Sequence, residues 1–281
     1  MKNIHEKIIL MLVINLVGFT VFVVFSHMRP LLDDAFDLWG RIILFLLLIT
    51  TSFLLKPKTQ YQAYSSLFIT YAIALCAISI DLYLPTSVWF LELINISLDT
   101  PLGIALDKLD STLIIVLTII LFTRINQDRL ESIYLKKGKL KQGILIGLIT
   151  FFFVSIGSYF MAQLFGASQL SIDRIIVWIP WILIFILGNA FNEELLFRGL
   201  FLGKIKPFLG STLTNLSLVL PFVFHHVGVS YTNDALMFLM YLIPLAFLWG
   251  YLILKTDSLI ASVLFHAATD ISVILVIFSN L

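Results

Sequence analysis

The chain alternates long apolar runs with short polar breaks. Such runs fall at 8–26, 40–55, 62–80, 109–123, 143–166, 175–202, 211–229, 235–254 and 258–280. A helix needs about 20 apolar residues to cross the hydrocarbon of a bilayer. Backbone polar groups in lipid must be satisfied within the segment, which leaves helices as the reasonable reading. The pattern therefore predicts an all-α, polytopic transmembrane helical bundle of about nine spans, with eight possible. The fourth run is short and the sixth is long. The stretch 81–108 reads as an extracellular loop with a short interfacial helix around Trp89 and Phe90.

Composition agrees with the pattern. The 281 residues are 60% hydrophobic and 12% charged, with a mean hydropathy of +1.03. Soluble domains are about 45–50% apolar and about 25% charged, and no segment here has that make-up. The single cysteine, Cys76, lies in an apolar run and implies neither a disulfide framework nor thiol chemistry. The net charge of +1 is silent on partners, and no basic patch beyond one short loop suggests nucleic acid.

Charge sets orientation. With the N-terminus in the cytoplasm, the nine-span path puts Lys2, Lys7, Lys56, Lys58, Arg124, Arg129, Lys136, Lys137, Lys139, Lys141, Lys204, Lys206 and Lys255 on the cytoplasmic side. Only Arg29, Arg41, Lys108 and Arg174 fall on the other, with the acidic cluster Asp33, Asp34 and Asp37. An integral membrane protein of the plasma membrane, N-terminus inside and C-terminus outside, is expected. The first run lacks a small-x-small cleavage site, so it reads as a retained span rather than a signal peptide. The basic loop 124–142 anchors the chain to anionic lipid headgroups. It divides the chain into 1–142, with about four spans and almost no buried polar chemistry, and 143–281, with about five spans and nearly all of it.

That chemistry is the informative part, because ionisable groups within spans are expensive and point to function. "NEELLFRGLF" places Glu193, Glu194 and Arg198 in the sixth run. Glu194 and Arg198, four apart, either satisfy each other structurally or act directly. Glu193 lies about 100° round the helix from Glu194, on the face of Asn189, and reads as functional. "LPFVFHHVG" carries His225 and His226 after Pro221, and these residues alone do not say which histidine matters. "LFHAATD" sets His266 and Asp270 four apart, with Ser262 one turn earlier.

Buried polar groups must satisfy one another, so convergence of these helices round one wet cavity is the cheapest arrangement. Carboxylates and imidazoles there suit hydrolysis by an activated water. No Ser-x-x-Lys or Gly-x-Ser-x-Gly suggests a serine nucleophile. Counted at about 1.5 Å per residue, His226 lies about 22 Å up its span while Glu193 lies near the cytoplasmic end. They meet only if 201–211 dips into the membrane, Pro221 lowers the histidine, or the span ends shift. An active site open to the cytoplasm is expected.

The ordered motifs Glu193-Glu194-x-x-x-Arg198, Phe222-x-x-x-His226 and His266-x-x-x-Asp270 resemble the CAAX-protease and bacteriocin-processing family of intramembrane proteases (CPBP, or Abi). The resemblance covers roughly residues 143–280, leaving the front spans unexplained. It implies Glu193 as general base and His226 as its partner on water. It implies oxyanion binding by His266 and Asp270, and supporting roles for Glu194 and Arg198, beside Asn189 and His225. Many family members have Asn where this chain has Asp270. A protonated Asp270 could donate as the amide does. Alternatively, Glu193, His226, His266 and Asp270 would make a divalent-metal site, zinc for example.

The expectation is an intramembrane endopeptidase of glutamate type without a cofactor. Its partners would be the lipid bilayer and a membrane-presented peptide or protein, prenylated or not. A non-catalytic scaffold or bacteriocin-immunity protein of the same fold is the main alternative. A transporter would predict inverted repeats, and none is visible.

Overall fold

The computed structural model describes residues 4–28, 31–84, 86–230, 232 and 234–281; Lys2 and Arg29 lie outside them. Among the described residues every regular element is helical. Helix α1 is Ile4–Phe19 and continues as a π-helix over Thr20–Val24. It is followed by α2 (Asp34–Leu55), α3 (Gln62–Tyr83), α4 (Thr86–Leu93) and α5 (Pro101–Ile125). Then come α6 (Leu140–Leu164) and α7 (Ile172–Glu193), a second π-helix (Glu194–Gly199) and α8 (Leu200–Leu209). The chain ends with α9 (Ser211–His225), α10 (Ala235–Thr256) and α11 (Ile260–Ser279).

Among the described residues seven stretches are long and apolar enough to cross a membrane: Ile4–Val24, Asp34–Leu55, Thr59–Leu93, Leu140–Leu164, Ile172–Leu209, Ala235–Thr256 and Ile260–Ser279. The chain is a polytopic, all-helical integral membrane protein, with seven such stretches where nine were expected. The fourth expected run lies in α5, whose first half carries Asp107, Lys108 and Asp110. The seventh is α9, and its 15 residues reach about 22 Å at 1.5 Å each, short of about 30 Å of hydrocarbon. The sixth run does not end in a connection at 202. It stays helical to Leu209, with Phe201, Leu202, Ile205 and Leu209 buried along α8. The expected short helix around Trp89 and Phe90 is α4, and both rings are exposed on it.

The chain forms two compact units. The first comprises Met1–Tyr83, Ile115–Leu135 and Leu195–Val227. Here Gly18 lets α1 approach α9 closely, since a Cβ at Gly18 would lie 3.0 Å from Pro221 Cγ. Ser52 and Ser65 donate to each other's carbonyls at 2.9 Å and join α2 to α3. Tyr71 on α3 donates to the Ile14 carbonyl of α1 at 2.9 Å.

The expectation that the front spans hold almost no buried polar chemistry fails in this unit. Asp37 and Arg41 are 1% and 3% exposed on α2, and Arg41 Nε donates to Asp37 Oδ2 at 2.6 Å. Asp37 had been read on the outer side, before the run that begins at 40, and Arg41 at the outer end of that run. Their burial depends on α3, which supplies Tyr83 and Ser79 as further partners, and sequence periodicity does not report that packing.

The second unit comprises Leu84–Ile114, Lys136–Glu194 and Gly228–Leu281. Its central element is α11, packed on α6 and α7. Small residues permit the approach, as is usual where helices meet in lipid. A Cβ at Gly147 of α6 would lie 2.6 Å from Leu264 Cδ1, and one at Gly188 of α7 would lie 3.0 Å from Thr112 Oγ1. Ser158 Oγ donates to the Ala268 carbonyl at 2.7 Å, locking α6 to α11 two residues after His266.

Candidate active site

In the second unit α11 presents Ser262, His266 and Asp270 at intervals of four, so all three lie on one helical face. Opposite them stand Asn189 and Glu193 of α7 and Glu194, the first residue of the π-helix. His266 is the hub and is 2% exposed. Its Nδ1 is 2.9 Å from Glu194 Oε1, and Ser262 Oγ donates to Glu194 Oε2 at 2.6 Å. On the other edge of the ring, Nε2 lies 3.4 Å from Asp270 Oδ1 and 3.6 Å from Glu193 Oε2. Asn189 Nδ2 donates to Asp270 Oδ2 at 3.0 Å. The indole of Trp249 on α10 stacks on the imidazole, with centroids 3.7 Å apart and planes 9° from parallel.

This geometry fixes the imidazole from three directions. Carboxylates accept and do not donate when ionised, so each ring nitrogen that faces one carries a proton or shares it. A histidine held in this way can stabilise negative charge or pass a proton. The amide of Asn189 thus addresses one of the carboxylates that face the imidazole, that of Asp270.

The remaining expected residues, Arg198, His225 and His226, lie in the first unit. Arg198 is buried and its guanidinium stands over the Phe222 ring, 4.0 Å from the centroid. His226 follows the last residue of α9, and its Nδ1 is 2.9 Å from the Phe222 carbonyl. A carbonyl only accepts, so Nδ1 carries the hydrogen and Nε2 of the neutral ring holds the lone pair. The phenylalanine of the F-x-x-x-H motif thus supplies both the backbone oxygen that orients the histidine and a ring contact with it, centroids 4.7 Å apart. His225 has different partners: its Nδ1 lies 2.7 Å from the Phe22 carbonyl and 3.2 Å from Ser26 Oγ.

One local expectation changes. Glu194 and Arg198 were read as one α-turn apart, but Glu194–Gly199 is π-helical. A π turn holds an additional residue and closes i→i+5 hydrogen bonds, so side chains four apart no longer stack as on an α-helix.

Three neighbours were not singled out as site residues from sequence. Trp249 gave no signal, because an aromatic in a span is ordinary. Ser262 did carry one, as the first member of the stripe Ser262, His266 and Asp270, spaced by four on α11. Asn192, 2% exposed next to Glu193, has an Oδ1 that finds no hydrogen-bond partner among the described residues; a second asparagine three residues after Asn189 was its sequence trace. Carboxylate and imidazole donors are of the kind that divalent metals take. Among the described residues, however, no group of three or more His, Cys, Asp or Glu side chains is arranged to hold a metal ion.

Residues 175–272, about a third of the chain, match the family model described as type II CAAX prenyl endopeptidase Rce1-like. No curated protein and no solved structure matches the chain. The matched segment contains every residue of the three motifs, from Glu193 to Asp270. The family resemblance that those motifs carry is thereby shown: over residues 175–272 the chain matches the Rce1-like type II CAAX prenyl endopeptidases.

Proposed function

We propose that the protein is an intramembrane endopeptidase that hydrolyses a peptide bond of a membrane-presented peptide or protein with water activated by Glu193 and His226. The observation that carries the reading is the buried His266, bonded to Glu194 and facing Glu193 and Asp270, within a segment that matches a CAAX endopeptidase family. The family match supports the reaction class.

In this mechanism the Glu193 carboxylate takes a proton from water, and the water oxygen attacks the scissile carbonyl carbon. His226 holds that water through Nε2, since its Nδ1–H is committed to the Phe222 carbonyl. His266 donates to the oxyanion, and Asn189 holds Asp270 beside the imidazole. The tetrahedral intermediate collapses with cleavage of the C–N bond, and the proton held by Glu193 passes to the leaving amine. Glu194 orients His266, and Arg198 is structural. The reaction needs no cofactor in this form.

The same reading takes residues 143–281 as the protease core and 1–142 as an N-terminal region. It puts the N-terminus in the cytoplasm of a plasma-membrane protein, with the site open to that side. That orientation rests on the nine-span path, which counts α5 and α9 as crossings and so places thirteen basic residues on the cytoplasmic side.

The test is cleavage of a library of lipidated and unlipidated peptides in liposomes by wild type, Glu193→Ala and His226→Ala, each with and without a strong chelator. Loss of cleavage by about 10²- to 10⁴-fold in both variants, with indifference to chelator, is expected. Loss on chelation that a divalent ion restores would replace this mechanism with a metal-dependent one. Alanine variants that cleave as well as wild type, or that keep the cellular phenotype intact, would favour the scaffold reading.

A further inference from the structure

The front spans carry a connected set of buried polar groups that the endopeptidase reading does not use. On α2, Arg41 is bound three ways. Its Nε meets Asp37 Oδ2 at 2.6 Å, one terminal nitrogen donates to Ser79 Oγ at 3.2 Å, and the other donates to the Ser26 carbonyl at 3.0 Å. Asp37 Oδ2 also accepts from the Tyr83 hydroxyl at 2.7 Å. Ser26 belongs to the turn that follows the π-helix Thr20–Val24, and it is 2% exposed.

From that turn the set reaches α9. His225 Nδ1 faces the Phe22 carbonyl and Ser26 Oγ, at 2.7 and 3.2 Å. The carbonyl only accepts, so Nδ1–H donates to it and leans on the serine oxygen. The ring of His27 stacks on the His225 ring, centroids 5.1 Å apart and 29° from parallel, and His27 Nε2 stands 3.7 Å from Asp81 Oδ2. All these residues lie in the first unit.

The energetics say what such a set is for. A buried ion pair recovers little net stability against an apolar pair of similar volume, but removal of one partner is costly. A π-helical turn inside an α-helix likewise tends to mark a functional position. Groups of this kind are worth keeping where they hold one arrangement against others. Here the arrangement held is the path of residues 22–28 against His225.

We propose that the Asp37–Arg41 pair and Ser26 form a positioning clamp: they fix the turn after the first span, and this turn orients His225 and, through it, the next residue, His226. The proposal rests on the reading of His226 as the partner that activates water. It gives the front spans, which lie outside the family match, a part in setting up the reaction. Ser26, Asp37 and Arg41 are positioning residues and touch no substrate.

The experiment uses the full chain in liposomes and reads the histidines directly. Peptide mass spectrometry follows the rate at which diethyl pyrocarbonate modifies His225 and His226. Ser26→Ala removes only the hydroxyl contact. Asp37→Asn with Arg41→Gln removes the charges and keeps the shapes. Ser52→Ala, which breaks a buried hydrogen bond between α2 and α3 away from the clamp, is the control for loosening in general.

The expected result is a severalfold change in the modification rate of both histidines in the two clamp variants, and none in Ser52→Ala. In peptide cleavage the clamp variants should lose about ten- to a hundredfold in kcat, with KM nearly unchanged. Rates for His225 and His226 that match wild type in folded Ser26→Ala protein overturn the clamp, as does an equal change in Ser52→Ala. If Glu193→Ala cleaves as well as wild type, the endopeptidase reading falls, and the histidine rates still decide whether the clamp exists.

Discussion

Each unit buries a charged cluster, and the two clusters differ in what their charges can do. In the first, Asp37 is paired with Arg41, whose guanidinium does not release its proton at any ordinary pH. The surrounding groups, Tyr83, Ser79 and the Ser26 carbonyl, are neutral hydrogen-bond partners. That cluster is a fixed charge arrangement suited to holding backbone in place. In the second, three carboxylates share one imidazole, the side chain best fitted to gain and lose a proton near neutrality. Such a cluster can move a proton without moving atoms far. One type of buried charge is suited to holding register, and the other to sharing a proton.

The contrast can be broken most strongly at Arg41. Arg41→Met leaves Asp37 buried without its cation and should cost about 3–5 kcal/mol of stability. Thermal unfolding in detergent checks it, and a variant that unfolds at the wild-type temperature would mean that the pair holds nothing in place and that the contrast is false.

Glu194→Gln probes the other side. It keeps the volume but removes the charge that binds His266 Nδ1 and Ser262. Peptide cleavage should fall by about a hundredfold, the cost of a misplaced reacting group. The ratio to wild type should vary across pH 5–9, because a proton-sharing partner has been removed. A constant ratio would class Glu194 with the fixed charges.

Gly147→Ala separates packing from chemistry within the second unit. The added methyl meets Leu264 and should cost about 1–3 kcal/mol, read as a lower unfolding temperature. Cleavage by the folded fraction should keep the wild-type pH profile. The smallest effect is expected from Ser262→Ala, which removes one donor to Glu194. Chemical denaturation should show a loss of about 1 kcal/mol, and a loss above about 3 kcal/mol would show that the hydroxyl is integral to the cluster.

Much of this was legible in the residues. The apolar runs gave an all-helical membrane protein, since lipid leaves the backbone few alternatives. Ser262, His266 and Asp270 announced a polar face at helical spacing. Asn189 was tied to the Glu193 face, and the structure adds its bond to Asp270 across helices. Other features left no trace in periodicity. The π-helix at Glu194–Gly199 differs from α by one residue per turn, which a pattern of apolar residues does not register. The sequence placed Arg41 at a span end, where a charge commonly snorkels to water, and only the presence of Tyr83 and Ser79 on α3 makes it a buried group.

The sequence by itself determined that the chain is polytopic and helical, and it singled out the ordered E-E-x-x-x-R, F-x-x-x-H and H-x-x-x-D motifs, because both follow from the identity and spacing of residues along one helix. Only the tertiary structure decided which of these side chains face one another. It set His266 between Glu194 and the pair Glu193 and Asp270, laid Trp249 on its ring, and bound His225 to the first span. The physical reason is that hydrogen bonds and ion pairs depend on atoms a few ångströms apart in space, between helices separated by tens of residues in sequence. No periodicity within one helix encodes that distance.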